Sequence, residues 1–379
     1  MTEPAAMQRP GAAPGVMRTP RHVDIDLTAR CNLRCRYCYF FDNPAVPYGE
    51  VPTEEWLRFF DELGRCAVME IALAGGEPFM REDLRELLEG IVRNRMRFML
   101  LSNGTLITDE MAAFIASTGH CNYVQVSIDS YNPESHDACR GKGNWERAIR
   151  GLRALQRHRV RPAVRVTLHR HNVHDIEATA RFLLEEMGLS SFGVNSVGYL
   201  GSCRVHADDV MLTTEERMEA MAALVRASQV YGDRIQSAAG PLTDARMWRT
   251  MEEARLQGAP PFPRGGRLTA CGCYNSKINV RCDGVLTPCN MLTHIELGRI
   301  NHDSLAEVWQ QHPVLNELRR RTNISLTEFE FCAGCEYMSY CTGNCPALAY
   351  TLTGEVNHPS PDACLRKFLR EGGRLVDQG

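Results

Sequence analysis

Cysteines are the residues whose number and spacing in this sequence most directly imply chemistry. The chain has 379 residues and 16 cysteines. Cys31, Cys35 and Cys38 lie within one stretch of eight residues, and nine more lie between Cys271 and Cys364. We find no signal peptide and expect a reducing compartment, where clustered cysteines are more often metal ligands than disulfides.

The first group, Cys31-x3-Cys35-x2-Cys38, supplies three thiolates from one short loop. Thiolates are soft ligands that suit iron–sulfur clusters or zinc. Three of them can hold three irons of a four-iron cubane and leave the fourth iron open. Structural zinc sites prefer four closed ligands, so the loop favours a cluster. The alternative is half of a zinc site, completed by Cys66 or a histidine.

Charge and hydropathy exclude several classes of partner. The formal net charge is -3, with 44% hydrophobic and 23% charged residues, which is ordinary for a globular protein. No basic excess points to nucleic acid, and no run of about 18 apolar residues could span a membrane. We therefore expect a cytoplasmic protein with neither a nucleic-acid nor a membrane partner.

Short apolar runs alternate with amphipathic stretches between positions 22 and 230, which predicts strands that are each followed by a helix. The predicted strands are Val23–Leu27, Val68–Leu73, Phe98–Leu101, Tyr123–Ile128, Ala163–Leu168 and Ser191–Asn195. Thr53, Thr108 and Thr213 are predicted helix N-caps, and Glu216 completes a capping box with Thr213. Six such units predict an α/β fold with a parallel sheet, a partial (β/α)6 barrel of the TIM type that is open on one side.

Polar and glycine-rich segments follow the first four predicted strands. They are the cysteine loop, Gly75-Gly76-Glu77-Pro78, Ser102-Asn103-Gly104-Thr105 and Asp129. The carboxyl ends of parallel strands meet at one edge of a sheet, and ligands bind there. The sequence therefore predicts an active site at this edge.

The distribution of chain breakers and cysteines divides the sequence into four segments. Residues 1–20 are rich in Ala, Pro and Gly and are predicted to be a flexible N-terminal tail. The barrel is assigned to 21–235, and a linker with several prolines to 236–270. Residues 271–379 form a small cysteine-rich domain that is expected to depend on metal for folding.

The motif CxxxCxxC directly after the first strand resembles the signature of the radical S-adenosylmethionine (SAM) superfamily. This resemblance implies that the open iron binds the amino and carboxylate groups of SAM. The reduced cluster would cleave SAM to methionine and a 5′-deoxyadenosyl radical, which abstracts a substrate hydrogen. Tyr37 matches the family position near the adenine, and Gly75, Gly76 and Glu77 match the motif that contacts the methionine amino group.

Further positions match the same family by their order along the chain. Asn103, Ser127 and Asp129 stand where the family contacts the ribose or nearby groups, and Arg140 resembles the arginine that meets the methionine carboxylate. For Ser127, Asp129 and Arg140, a structural salt bridge or a turn is the alternative.

The distal cysteines resemble the SPASM extension of radical SAM proteins. The run Cys332-x2-Cys335-x5-Cys341-x3-Cys345 is followed by Cys364, and Gly284 lies five residues before Cys289. The resemblance implies two auxiliary clusters, whose ligands are Cys332, Cys335, Cys341 and Cys364 in one, and Cys271, Cys289 and Cys345 in the other. Cys273 and Cys282 compete for the fourth place in the second set, unless that place is open for substrate. The alternative is a zinc ribbon.

The resemblance implies SAM and three iron–sulfur clusters as cofactors, the auxiliary ones expected to hold four irons. SPASM proteins mostly modify peptides or proteins, so we expect an oxidoreductase-type maturase that crosslinks or oxidises a ribosomally made peptide. Its partners would be the peptide or protein substrate and a flavodoxin- or ferredoxin-type electron donor. Only about twenty residues precede the first strand, so leader recognition would need a separate protein or the barrel edge.

Three other functions remain as alternatives. A sulfatase-maturating enzyme has an aspartate directly after the cysteine equivalent to Cys289, whereas this chain has Asn290, which cannot act as a base. Nearby Asp283 is a candidate for that role. A small-molecule enzyme of heme-type cofactor synthesis is the second alternative, and a zinc-binding interaction protein without catalysis is the third.

A few polar residues fall outside these motifs. Cys203 follows the sixth strand and is a candidate catalytic residue, with burial as a small hydrophobe as its alternative. His169, His171 and His174 crowd the end of the fifth strand. We interpret them as solvated or hydrogen-bonded side chains rather than a metal site.

Overall fold

The computed structural model describes residues 16–41 and 49–376, without the side chain of Cys273. Most of the predicted N-terminal tail, residues 1–15, lies outside the described residues. In the part of the chain that is described, no helix is both long and apolar enough to cross a membrane.

The fold is built on one ten-stranded sheet with the order β10-β9-β8-β1-β2-β3-β4-β5-β6-β7. The strands are β1 (His22–Thr28), β2 (Glu70–Gly75), β3 (Arg97–Ser102), β4 (Cys121–Ser127), β5 (Pro162–Leu168), β6 (Phe192–Ser196), β7 (Ile235–Gln236), β8 (Lys277–Val280), β9 (Val285–Thr287) and β10 (Gly298–Arg299). Strands β1 to β7 pair in parallel. The six predicted strands are confirmed as β1 to β6, and the barrel is partial, as predicted.

Helices alternate with the strands of the barrel and continue through the cysteine-rich part of the chain. They are α1 (Thr53–Arg65), α2 (Leu84–Arg93), α3 (Asp109–Thr118), α4 (Pro133–Arg140), α5 (Asn144–Arg157), α6 (Ile176–Arg181), α7 (Cys203–Val210), α8 (Thr214–Tyr231), α9 (Pro241–Leu256), α10 (Cys273–Ser276), α11 (Leu305–Gln311), α12 (Pro313–Arg320), α13 (Pro346–Thr353) and α14 (Leu365–Arg370). The predicted cap Thr108 and the capping box of Thr213 and Glu216 are confirmed. Thr53 is instead the first residue of α1, after Pro52, and its hydroxyl donates to Asp83.

The two faces of the sheet differ in chemistry because side chains alternate along each strand. In β1, Val23, Ile25 and Leu27 are fully buried in the main hydrophobic core. Asp24, between them, points to the other face and acts electrostatically on Tyr123 of β4. Asp24 also pairs with Lys277 of β8 at 2.6 Å, so the inner face of this partial barrel, here called the lumen, carries polar side chains.

The cysteine-rich part of the chain is continuous with the barrel sheet. Strand β8 pairs in parallel with β1, and β9 and β10 add antiparallel strands beyond it. The segment predicted as a linker, 236–270, contains the sixteen-residue helix α9, which packs against α8 through Met221, Trp248 and Met251. The C-terminal part is therefore attached through a strand edge and a helix face, beyond its covalent connection.

Candidate active site

The loop after β1 carries the first three cysteines and folds into tight turns. Cys38 N–H donates to the Cys35 carbonyl at 3.0 Å, and Leu33 N–H donates to the Cys31 sulfur at 3.4 Å. The Cys35 thiol acts electrostatically on both Cys31 and Cys38. The structure thus brings the three predicted ligands together at the carboxyl edge of the sheet, and an amide donor to sulfur suits a thiolate ligand.

Burial determines the protonation of these thiols. It raises the pKa of Cys31 to about 11 and that of Cys35 to about 12, because a thiolate is poorly solvated there. At neutral pH the thiols therefore keep their protons unless a cation replaces them. Coordination to iron deprotonates a thiol outright, so the loop fits a metal cluster better than an anionic thiolate site.

Gly75 and Gly76 let the chain after β2 approach the cysteine loop. Gly76 N–H donates to the Thr28 carbonyl at 2.8 Å. A β-carbon on Gly76 would lie 2.2 Å from the Arg30 carbonyl oxygen, and one on Gly75 would lie 2.5 Å from that of Thr28. Only glycine fits between these backbones, so both residues hold the cysteine loop in place.

Glu77 is fully buried, and its carboxylate accepts three hydrogen bonds. Its carboxylate accepts from Ser102 Oγ at 2.8 Å, Asn103 N–H at 2.7 Å and Phe79 N–H at 3.3 Å. Burial raises the pKa of this carboxyl to about 7 despite these bonds. These contacts join the ends of β2 and β3, and the pairing of this carboxylate with an ammonium group stays a prediction.

Asn103 connects the β3 edge to the first cysteine. Its Nδ2 lies 3.8 Å from Cys31 Sγ and 2.9 Å from Asn32 Oδ1, while its Oδ1 accepts from Thr105 N–H at 2.9 Å. This predicted SAM contact therefore lies directly beside the cysteine loop.

Asp129 and Arg140 form a buried ion pair, 1% and 7% exposed, with Arg140 Nε 2.6 Å from Asp129 Oδ2. The Tyr37 hydroxyl donates to the same carboxylate, and the Arg140 guanidinium lies over the Tyr37 ring. Burial alone would raise the pKa of Asp129, but the charge and hydrogen bonds of Arg140, with the His169 ring 3.9 Å away, hold it well below its usual range. Asp129 and Arg140 thus form a salt bridge, their predicted contact with SAM stays a prediction, and Ser127 ends β4 two residues earlier.

Histidines that the sequence analysis does not assign to the site support this pair. His136 Nδ1 accepts from Asp129 N–H at 3.1 Å, and the fully buried His169 ring stacks on Tyr37. His171 and His174 bond to Asp209 and Glu219, as expected for hydrogen-bonded side chains, although the His169 and His171 rings lie 5.9 Å apart. No spacing rule marks the supporting role of His136; only its position in the helix after Asp129 could have suggested it.

Cys203, a candidate catalytic residue, is fully buried at the start of α7. It packs with Cys139, Val197 and Val210, and burial raises its pKa to about 11. Its surroundings are those of a small hydrophobe. The preceding turn touches the cysteine loop, since Ser202 N–H donates to the Cys38 carbonyl at 2.8 Å.

Four distal cysteines line one pocket. They are Cys332, Cys335, Cys341 and Cys364. Gly343 N–H donates to Cys341 Sγ at 3.3 Å, and Lys367 N–H donates to Cys364 Sγ at 3.5 Å. Leu326, Phe331 and Met338 complete a largely apolar lining. A soft donor set with amide-to-sulfur bonds in an apolar pocket fits an iron–sulfur cluster.

The remaining predicted ligands form a second distal group. The Cys345 thiol interacts electrostatically with Cys289 and Cys271, and Met291 N–H donates to Cys289 Sγ at 3.5 Å. Cys282 lies in another environment, fully buried with Ala29, Phe40 and Phe41 beside the first cysteine loop. The side chain of Cys273, the other candidate for the fourth place, lies outside the described residues.

Asp283 occupies the turn between β8 and β9. Its carboxylate bonds to the Arg281 guanidinium at 2.8 and 3.1 Å, and Arg299 lies 3.9 Å away. Burial raises its pKa, but the hydrogen bonds and charge of Arg281 outweigh that effect and lower it. A carboxylate that two arginines stabilise is a poor general base, which argues against this candidate role.

The first loop and the second distal group lie at opposite ends of the lumen. Cys31 follows the carboxyl end of β1, whereas Cys271 precedes β8 and Cys289 follows the antiparallel β9, so both lie near the amino end of β1. Tyr39 spans part of this interval by sharing hydrogen bonds with Asp26 and Asn290.

Relatives of the chain agree with this arrangement. An AdoMet-dependent heme synthase of Methanosarcina barkeri is 28% identical over 349 residues, covering 90% of this chain and 95% of the relative. A PqqA peptide cyclase of Granulibacter bethesdensis is 26% identical and covers 90% and 86%. The solved structure of Streptococcus suis SuiB bound to precursor peptide SuiA superposes with a TM-score of 0.69 at 15% identity, covering 92% and 77%, and so shares the fold.

Two family models match the regions that carry the cysteine groups. The model of the radical SAM superfamily matches residues 25–183, which include the loop after β1 and the Asp129–Arg140 pair. The model of the SPASM iron–sulfur cluster-binding domain matches residues 271–336. The chain therefore belongs to the radical SAM superfamily and carries a SPASM iron–sulfur domain after its barrel.

Proposed function

We propose that this enzyme cleaves SAM reductively and uses the resulting radical to crosslink or oxidise a ribosomally made peptide or protein. The observation that carries the proposal is the strand register, which puts the Cys31 loop after the carboxyl end of β1 and puts Cys271 and Cys289 near its amino end, on either side of the barrel lumen. A substrate in this lumen would meet the SAM site on one side and an auxiliary cluster on the other.

In this proposal, the protein supplies ligands and positioning, and the cofactors supply the radical chemistry when bound. Cys31, Cys35 and Cys38 hold the first cluster. Asn103, Ser127 and the Tyr37–Asp129–Arg140 network take the adenosyl and carboxylate groups of SAM, while Gly75, Gly76 and Glu77 contact its methionine amino group.

The two distal groups are proposed to hold auxiliary four-iron clusters. Cys332, Cys335, Cys341 and Cys364 hold one, and Cys271, Cys289 and Cys345 hold the other, with Cys273 or an open place as its fourth position. Three clusters in one chain need an external electron donor of the flavodoxin or ferredoxin type. A separate leader-recognition protein and a cytoplasmic location complete the proposal.

Cluster content and SAM cleavage test the core of this proposal. We expect about twelve irons and twelve sulfides per chain after anaerobic reconstitution, if each cluster is a cubane. Replacing Cys31, Cys35 and Cys38 together with alanine should abolish 5′-deoxyadenosine formation and leave about eight irons. Retained SAM cleavage in that variant would show that the SAM site is assigned wrongly. Negligible iron with two or three zincs in the wild-type chain would favour the zinc-binding alternative.

A heme-type activity is the second candidate, because relatives named for heme synthesis match as much of the chain as the peptide cyclases do. Incubation with SAM, reductant and short peptides encoded near its gene should yield a peptide that has lost two hydrogen atoms, read by mass spectrometry. If an iron tetrapyrrole stimulates 5′-deoxyadenosine formation and no peptide does, the heme-type function replaces the peptide one.

A further inference from the structure

Arg321 is a fully buried cation in the C-terminal domain. It begins a short helical turn after α12 and is 0% exposed. Its guanidinium donates to the backbone carbonyls of Thr269, Val356 and His358, the last two at 3.1 and 2.9 Å. These acceptors are neutral, and among the described residues Arg321 forms no ion pair with a carboxylate.

A buried guanidinium needs a countercharge. Burial lowers the pKa of Arg321, but arginine stays protonated in proteins, so the positive charge persists. Burying an unpaired charge is costly. The titratable groups whose negative charge would act on it are those of Tyr274, Cys345 and Cys271. Two of these are predicted ligands of one auxiliary cluster, and they carry negative charge when they bind iron as thiolates.

Arg321 is also connected to both loops that carry these cysteines. Thr269, whose carbonyl accepts from it, lies two residues before Cys271. Val356 and His358 follow helix α13, which Cys345 caps. The guanidinium therefore joins the backbone just before Cys271 to the loop that follows helix α13.

The neighbouring Arg319 provides a contrast. It is 8% exposed and donates to the carbonyls of Tyr274 and Trp309 at 2.8 and 2.7 Å, and its guanidinium lies over the Trp309 ring. Burial is the cause that lowers its pKa to about 10, and no cysteine contributes to that shift. Both arginines are buried and donate to backbone carbonyls, but only Arg321 is influenced by the cysteines.

We propose that Arg321 is the countercharge of the auxiliary cluster bound by Cys271, Cys289 and Cys345 and raises its reduction potential. This inference rests on the proposed ligand set and is independent of the identity of the substrate. A fixed positive charge favours the reduced form of the cluster, which carries one more negative charge than the oxidised form. Arg321 is thus a positioning residue that makes this cluster a better electron acceptor.

The test is a redox titration of the reconstituted holoenzyme, followed by electron paramagnetic resonance. Arg321→Gln should lower the reduction equilibrium constant of this cluster at least tenfold, which is 59 mV for a one-electron couple. The other two clusters serve as internal references and should keep their potentials. Arg319→Gln is the matched control and should shift none of them, even if it destabilises the fold.

Each result decides the proposal. Full iron content with an unchanged potential in Arg321→Gln overturns it. If Arg321→Gln does not bind the cluster, Arg321→Lys is measured instead. A bound cluster with the wild-type potential in Arg321→Lys supports the proposed role of the positive charge. Failure of Arg321→Lys to bind the cluster overturns it, because the shape of the side chain alone then matters. The peptide function is read separately by mass spectrometry, so its failure leaves the potentials and this inference intact.

Discussion

At the scale of single residues, Asp129 organises the predicted SAM site. Its carboxylate accepts hydrogen bonds from the Arg140 guanidinium, the Tyr37 hydroxyl and the Thr167 backbone amide. Because its low pKa keeps it ionised, it orients two predicted SAM contacts without titrating near neutral pH. Its own role is therefore to position Tyr37 and Arg140.

His136 makes this network sensitive to acid. Burial lowers its pKa from 6.5 to about 4, so the folded chain keeps the ring neutral while the unfolded chain protonates it between those values. The unfolded state binds more protons in this window, and stability is lost as pH falls from 6.5 towards 4. At pH 5 the cost should be about 2 kcal/mol.

Denaturant unfolding of wild type and His136→Asn at pH 7.5 and pH 5 measures this effect. Asparagine can still accept from Asp129 N–H, so the variant should lose less stability than wild type on acidification. Parallel losses in the two proteins would show that His136 does not titrate in this window.

The sequence predicted which cysteines lie close together better than it predicted the residues that surround them. The cysteine groups follow from spacing, because ligands in one motif need only local order. The buried positions of Glu77 and His169 do not follow from spacing, since they depend on which strand ends face each other after folding. The environment of Cys282 could not be predicted for the same reason, because the pairing of β8 with β1 places it.

At the scale of elements, the loops after β1 and β2 act as one unit. The six strands were predictable because apolar runs of this length, bounded by polar turns, leave few alternatives. Helix α9 was not predictable, because the glycines and prolines around it suggested an irregular linker. Contacts with α8 stabilise this helix. How closely the loops after β1 and β2 pack depends on the gap between their backbones. The close contacts at Gly75 and Gly76 show that this gap is small.

Gly76→Ala tests this unit. The new β-carbon would lie 2.2 Å from the Arg30 carbonyl oxygen, next to Cys31 in sequence. We expect the cysteine loop to shift and the first cluster to be lost, so that iron content falls by about four per chain. Gly198→Ala is the control, because its β-carbon would meet Leu348 at an ordinary 3.5 Å. Full iron in Gly76→Ala would contradict the account.

At the scale of the whole molecule, the lumen face of the sheet carries charged side chains that differ in whether a partner offsets them. β1 contributes Asp24, which pairs with Lys277 at 2.6 Å. β5 contributes the half-buried Arg165, whose Nε donates to Gln125 at 3.4 Å and which forms no ion pair with a described carboxylate. Its guanidinium packs against Gly193, where a β-carbon would lie 3.1 Å from it.

Arg165 should therefore receive an anionic group of the substrate. Its strand position is level with Ser127, one of the predicted SAM contacts. We expect Arg165→Gln to raise KM for an acidic substrate about tenfold or more, the effect of losing about 1.4 kcal/mol from a charged hydrogen bond. SAM cleavage without substrate should not change, and reduced cleavage there would assign Arg165 to SAM instead.

The pairing of β8 with β1 also has a consequence for synthesis on the ribosome. Strand β1 emerges early, but its partner β8 follows about 250 residues later. At about 5–20 residues per second, the outer edge of β1 stays unpaired for roughly 12 to 50 seconds. An open strand edge is a template for wrong pairing. A nascent chain interrupted at any point before Lys277 keeps that edge exposed permanently.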